Sequence, residues 1–185
     1  MFTNGSSNFA RKIIKDEKGF VELIAALKKQ GFKIVVTIGS WDLLHIGHVR
    51  YLIKAKEFGD VLVVGVDTDR AIKLYKGPFR PVVPQEERCE MLTYQSVVDF
   101  VILVDDVNKK GEWQYRLIKK LKPDVFVAVE DSYPKRQLAE IRKYATKTVV
   151  LPRQAEKTST SDMVQSTLKD HLLAMVEMVS KGGGR

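Results

Sequence analysis

Hydrophobic positions along this chain fall into two alternating kinds of run. Short β-branched stretches (Ile34-Val35-Val36 with Ile38, Val61 to Val66, Val97 to Val104, Val125 to Val129, Lys147 to Leu151) read as strands, the first two with the pattern of strands buried in the sheet. Between them lie stretches with apolar residues three and four apart, the spacing of an amphipathic helix. Phe20, Leu23, Ile24 and Leu27 make one such helix, stopped by Gly31. A second opens near Leu43 with Ser40 or Asp42 as its cap, and a third runs from Pro84 and Gln85 to about Gln95. Others cover Glu112 to Leu121 and Pro134 to Tyr144. Met163, Val164, Thr167, Leu168, His171, Leu172, Met175, Val176 and Val179 line one face of a long last helix. Arg70 to Pro81 is basic and predicted irregular. Strand and helix alternate throughout, which predicts an α/β fold: a Rossmann-like, doubly wound, five-stranded parallel sheet with helices on both faces. Residues 1–15 are predicted to be a flexible arm, 16–180 one domain, and 181–185, with three glycines, a flexible tail.

The most informative stretch is Lys33 to His48, KIVVTIGSWDLLHIGH. A buried strand ends at Gly39, and a helix follows on which His45 and His48, three apart, share one face. A helix N-terminus has unpaired N–H groups and about half a positive charge, so it attracts anions. Gly47 lets an anion approach the backbone between the two rings. Two other readings of the histidines are available: surface residues, or a zinc site. Zinc would need third and fourth ligands, and only Cys89 and His171 are on offer, on core or distant helices. The fingerprints of dinucleotide-binding and P-loop domains are absent. A second phosphate-like feature is Ser159-Thr160-Ser161, hydroxyls leading into the last helix; an ordinary helix cap accounts for them equally well.

The composition is that of a soluble globular domain. No apolar run approaches a membrane span, and the N-terminal MFTNGSSNFARK lacks the apolar stretch of a secretory signal, so a cytoplasmic location is expected. The single cysteine, Cys89, is expected as a core thiol. Net charge is +8, but the basic residues are scattered as pairs such as Lys28-Lys29, Lys119-Lys120 and Arg142-Lys143. Without a stripe, this pattern is solvated helix surface and not a nucleic-acid footprint.

With strand, Gly39, Asp42 and His45-Ile46-Gly47-His48 in order, followed by Val49-Arg50-Tyr51-Leu52 and Gly59-Asp60, the chain resembles the cytidylyltransferase-like nucleotidylyltransferases that carry an HxGH signature. The resemblance runs from about Phe20 to Lys169. It is nearest to the bacterial branch that adenylylates heptose 1-phosphate and next to the glycerol-3-phosphate cytidylyltransferases. It implies transfer of a nucleoside monophosphate from a nucleoside triphosphate, with ATP favoured, to a small phosphorylated acceptor, releasing pyrophosphate. Magnesium would travel with the triphosphate, with no protein metal site, and family members are commonly homodimers. By the same resemblance His45, His48 and Lys76 are catalytic. Ile38, Gly39, Ser40, Trp41, Asp42, Gly47, Glu130, Arg153, Ser159, Thr160 and Ser161 bind nucleotide. Lys76 and Arg80, from a KGxxRP-like loop, hold the acceptor's phosphate; Arg88 matches a family arginine and suits a structural ion pair equally.

Three departures matter. Trp41 stands where the family usually has phenylalanine. Val129-Glu130-Asp131 replaces a Gly-Gly-Asp of the adenylylating branch, and Trp113 resembles an Asn-Trp-Glu segment of the glycerol-phosphate enzymes. CTP with glycerol 3-phosphate is therefore the alternative pair, and a nucleotide-binding module without transfer the alternative class.

Overall fold

The computed structural model describes residues 9–130, 132–156 and 158–182. The elements, in chain order, are β1 (Ile13–Ile14), α1 (Glu17–Lys29), β2 (Ile34–Gly39), α2 (Ile46–Lys56), β3 (Val61–Asp67), α3 (Asp69–Lys76) and α4 (Gln85–Thr93). They continue with β4 (Phe100–Val104), α5 (Arg116–Leu121), β5 (Val125–Val129), α6 (Lys135–Ile141), β6 (Lys147–Leu151) and α7 (Thr160–Gly182). The strands form one six-stranded parallel sheet ordered β1-β4-β3-β2-β5-β6.

Side chains alternate across each strand, so the sheet divides the core in two. Ile34, Val36 and Ile38 face one layer with Phe20 and Ile24 of α1, Leu117, Ile118 and Leu121 of α5, and Ile141 just at the end of α6. Val35, Leu62 and Val64 face the other, with Tyr51, Leu52 and Ala55 of α2 and Cys89 and Leu92 of α4. Cys89 is buried as a free thiol, as expected.

The central strands do not pair equally. β2 runs in register with β3 from Ile34↔Val61 to Gly39↔Val66, but with β5 only at Val35↔Val125 and Val36↔Phe126. Beyond those pairs the two strands part, at the point where the winding of the sheet reverses direction. The carbonyls exposed by the split are taken up by tyrosines. Tyr133 Oη donates to Ile38 O at 2.6 Å, and Tyr51 Oη donates to Val127 O at 2.8 Å while also bonded to Thr37 Oγ1 at 2.7 Å.

Four expectations need correction. The arm before Asp16 contributes a strand: Ile13 and Ile14 pair with Val101 and Ile102, giving six strands instead of five; residues 1–8 lie outside the described residues. The basic stretch after Arg70 is helical as far as Lys76, because Thr68 Oγ1 caps it by accepting from Ala71 N at 3.1 Å and Ala71 with Ile72 is fully buried. The helix expected from Glu112 starts only at Arg116. Val107 and Trp113 form an isolated antiparallel bridge before it, and Asp106 accepts from Arg116 N at 2.6 Å. Finally, α7 continues to Gly182, into the expected tail, and 183–185 lie outside the described residues. Its apolar stripe is uncovered: Leu168, Leu172 and Met175 are 58%, 61% and 57% exposed. Among the described residues no helix is long and apolar enough to cross a membrane.

One buried cation ties the strand ends together. Arg88, on α4 and 1% exposed, donates from Nε to Val83 O at 2.9 Å and from Nη1 to Ser40 O. Its Nη2 donates to Asp67 O at 2.8 Å and to Asp69 Oδ1 at 2.7 Å. The ends of β2 and β3 and the start of α3 thus meet on one guanidinium, whose planar fork a lysine cannot reproduce. Arg88→Met should lower unfolding stability by about 3 to 5 kcal/mol in urea titrations, since it strands buried acceptors. A loss below about 1 kcal/mol would show that the guanidinium is not what fixes these ends.

Candidate active site

Above the split between β2 and β5 lies a cavity of about 720 Å³. Thr37, Ile38, Gly39, Ser40 and Trp41 make its floor, and His45, Gly47 and His48 one wall.

The two histidines are themselves the cap of α2, not Ser40 or Asp42 as the sequence suggested. His45 is the N-cap residue, and its Nδ1 accepts from Gly47 N at 3.1 Å. His48 reaches back, its Nδ1 accepting from His45 N at 3.3 Å, a reciprocal capping box built from imidazoles. The ring centroids are 4.0 Å apart. Since Nδ1 of each ring accepts, the proton of each neutral imidazole resides on Nε2, which is left as a donor. Burial keeps the rings neutral. It pushes His48 down to about 4, helped by the charges of His45 and Lys76, and lowers His45 in the same direction.

Gly47 does not leave the open approach that its residue type suggested. A Cβ there would lie 2.8 Å from His45 Cε1 and 2.9 Å from Ala155 Cβ, so the space is filled by the histidine ring and the segment after β6. Glycine is needed for that close approach.

The loop from β2 to α2 is held from two sides. Trp41 and Leu43 take positive φ of 53° and 49°, and the Trp41 indole is anchored by Nε1 donating to Gly65 O at 2.9 Å. Trp41 lies 5.6 Å from His48, ring to ring, so the departure from the usual phenylalanine gives a floor with its own hydrogen bond. Asp42 is 1% exposed and accepts from Arg80 Nε at 2.7 Å, Val82 N at 3.0 Å and Val83 N at 3.0 Å. Asp42 and Arg80, expected to touch nucleotide and acceptor phosphate, bond each other, and Arg80 Nη2 has no hydrogen-bond partner among the described residues. They are the two expected site residues that the cavity wall does not include.

The remaining expected residues come together on the wall. Lys76 Nζ donates to Ser40 Oγ at 2.8 Å, and burial with the nearby Arg80 charge lowers its pKa. Glu130 Oε1 accepts from Arg153 N at 2.8 Å, joining the loops after β5 and β6. At the start of α7, Ser159 Oγ and Asp162 bond each other, and Thr160 Oγ1 donates to Asp42 O at 2.9 Å. Ser159 and Thr160 are thus partly engaged in capping and tethering, whereas Ser161 is exposed at the same turn. Asp131 and Lys157 lie outside the described residues. Among the described residues no group of three or more His, Cys, Asp or Glu could hold a metal ion.

The cavity also includes residues to which the sequence gave no role: Asp67, Tyr75 and Tyr133, with Trp113 noted there only as a resemblance. Asp67 carried a readable signal, a carboxylate at the carboxyl end of an otherwise apolar strand, where α/β sheets place their ligands.

A family model described as Cytidylyltransferase-like matches residues 36–169. Among curated proteins, the Bifunctional protein HldE of a Nitratiruptor species is 46% identical over 108 residues, 58% of this chain and 22% of that protein. The protein of the same name from Campylobacter jejuni is 41% identical over 126 residues, 68% of this chain and 25% of its own length. The chain thus spans about a quarter or less of these relatives. Among solved structures, a lipopolysaccharide core biosynthesis protein from Thermoplasma volcanium superposes with a TM-score of 0.57 at 28% identity, covering 66% of this chain and 98% of that one. Pantoate-beta-alanine ligase from Francisella tularensis, at 18% identity and a TM-score of 0.55 over 78% of this chain and 68% of that one, shares the fold.

The imidazole capping box fixes a measurable tautomer. Ring ¹⁵N shifts of His48 should report a neutral Nε2–H form from pH 8 down to about pH 5. A ring half-charged near its ordinary 6.5 would contradict the buried arrangement. The stability contribution has a definite sign: with the folded value below the unfolded one, it is complete above about 6.5 and lost as pH falls towards about 4.

Proposed function

The chain belongs to the cytidylyltransferase-like family, and from that premise we propose that it transfers a nucleoside monophosphate from a nucleoside triphosphate to a small phosphorylated acceptor. The observation that carries this reading is the pair of neutral Nε2 donors at the start of α2, sharing one cavity with Lys76 and the start of α7. In the reaction an oxygen of the acceptor's phosphate attacks the α-phosphorus. A new P–O–P linkage forms while the bond to the β-phosphate oxygen breaks, and its electrons leave with pyrophosphate. The attacking phosphate is already anionic, so no general base is needed.

Catalysis is then the aiming of donors at oxygens that gain charge in the transition state, each worth about 3 to 4 kcal/mol when fixed in a dry site. His45 and His48 serve the transferring phosphate. Lys76 draws the acceptor phosphate towards it. The start of α7, with Ser161 and with Thr160 once its hydroxyl turns from Asp42 O, serves the leaving pyrophosphate. Magnesium, a hard cation satisfied by phosphate oxygens and water, enters with the triphosphate. Asp42, in the loop that leads into α2, has both oxygens engaged, which fits a metal carried by substrate.

For the donor we favour ATP and for the acceptor a sugar 1-phosphate such as heptose 1-phosphate, on the resemblance of the HIGH and KGxxRP-like segments to the adenylylating branch. Trp113, an aromatic on the cavity wall, favours the second reading, CTP with glycerol 3-phosphate. We further read the uncovered stripe of α7, with Leu168, Leu172 and Met175 in i, i+4, i+7 order, as the surface a second copy covers.

Pyrophosphate release tests the whole. ATP with a sugar 1-phosphate should release it, and CTP with glycerol 3-phosphate acting about tenfold faster or more would reverse the assignment. His48→Ala should lower turnover about 10²- to 10³-fold, with a stability loss near the ~1 kcal/mol of a missing cap. Near-normal turnover would remove the histidines from the chemistry. Light scattering should give a dimer that Leu172→Glu converts to monomer; a monomeric wild type would dismiss the α7 contact.

A further inference from the structure

Asp67 ends β3 with its side chain on the cavity wall and 1% of its surface exposed. Its two carboxylate oxygens are treated differently. Oδ2 accepts from Tyr75 Oη at 2.7 Å, whereas Oδ1, though buried, has no hydrogen-bond partner among the described residues. Arg88 binds the backbone carbonyl of Asp67, not its carboxylate, and the hydrogen bond that Lys76 makes goes to Ser40 Oγ, not to Asp67. A buried acceptor left empty destabilises the fold unless something arrives to fill it.

The position says what arrives. β3 and β5 flank β2 on opposite sides, so the cavity has two arms. One, over β5 and β6, is walled by Glu130, Arg153 and the start of α7; the other, over β3, by Asp67, Tyr75, Lys76 and Trp113. Tyr75 and Trp113 stand 5.7 Å apart, ring to ring, and give this second arm an apolar wall beside the carboxylate. A triphosphate reaching α7 occupies the first arm, which leaves the second for the acceptor, its phosphate on Lys76.

We propose that Asp67 selects the acceptor: its free oxygen receives a hydrogen bond from a hydroxyl or ammonium group carried a few atoms from the acceptor's phosphate. This rests on the transferase reading above and adds to it the kind of acceptor chosen. Phosphates of polyols, sugars and amino alcohols satisfy Oδ1; a plain alkyl phosphate leaves it empty. The charges around the carboxyl are Lys76 from α3 and Arg88 from α4, which favour its ionised form, and Asp106 after β4, which opposes it; Tyr75 and Tyr133 also face it. Burial outweighs these and pushes Asp67 up to about 7, so its preference for a donor weakens as pH falls through neutrality.

Four acceptors test this: glucose 1-phosphate, glycerol 3-phosphate, 2-aminoethyl phosphate and n-propyl phosphate, each assayed with ATP and with CTP in wild type and Asp67→Asn. In wild type at least one donor-bearing phosphate should exceed propyl phosphate in kcat/KM by about tenfold or more. Which one does so tells hydroxyl from ammonium. In Asp67→Asn that ratio should fall towards one, through KM of the acceptor, with KM of the nucleotide within about twofold. The acceptor KM of wild type should rise below about pH 7, and that slope should vanish in the variant. Equal losses for all four phosphates, or a change confined to the nucleotide, would overturn the proposal. Calorimetric titration with the same phosphates separates it from the transferase reading. If binding discriminates through Asp67 while no pyrophosphate appears, transfer alone is wrong; if binding does not discriminate, Asp67 is no selector.

Discussion

The structure depends on β2 and β5 parting after two paired positions. Parallel strands that stay in register fill each other's backbone groups, and an end that opens early leaves carbonyls facing a hole. Here the hole persists because Tyr133 and Tyr51 hydrogen-bond those carbonyls from opposite sides of the sheet. The two tyrosines come from different layers, Tyr133 from the segment before α6 and Tyr51 from α2, so each half of the core reports to the same gap. The cavity is therefore a consequence of sheet topology before it is a set of ligand contacts.

Above the gap, charge is used mainly to fix backbone. Asp42 gathers Arg80, Val82 N and Val83 N, and Arg88 gathers carbonyls from three segments, so loops from both sides of the sheet are stitched to the strand ends. Some polar groups on the cavity wall are less tied: the Nε2 edges of the two histidines and one oxygen of Asp67. Rigid support with a small number of free polar groups is the arrangement expected where orientation limits the rate.

Much of this was legible in the residues. Runs of β-branched residues locate all five long strands; the central β2 and β3 are buried on both faces, whereas β6, at the sheet edge, has no buried residue. Phe20 and Ile24 lie in the core as the helical spacing implied, whereas Leu23 of the same stripe is 42% exposed. What sequence could not give was competition among partners. Ser40 and Asp42 are better caps than histidine in isolation, but Arg80 and two backbone amides take Asp42, and the imidazoles inherit the helix. Two short isoleucines did not announce β1, because an edge pairing of two residues is decided by its neighbour in the sheet. The basic segment at Arg70 hid a helix whose burial rests on Ala71 and Ile72 alone. Asp67 differs in kind: the letter was visible at the strand's end, but that one oxygen stays empty is a property of three-dimensional neighbours.

The histidine cap has a consequence for motion. A side chain that aims a proton from an exposed loop samples its rotamers freely, and each wrong rotamer is a moment lost to the reaction. Here neither imidazole can turn without breaking the hydrogen bond that starts α2, so thermal wandering of the rings is coupled to fraying of the helix. The same two bonds set tautomer, direction and residence time of both donors. Local melting of one helical turn would free both rings at once while the sheet beneath it stayed intact.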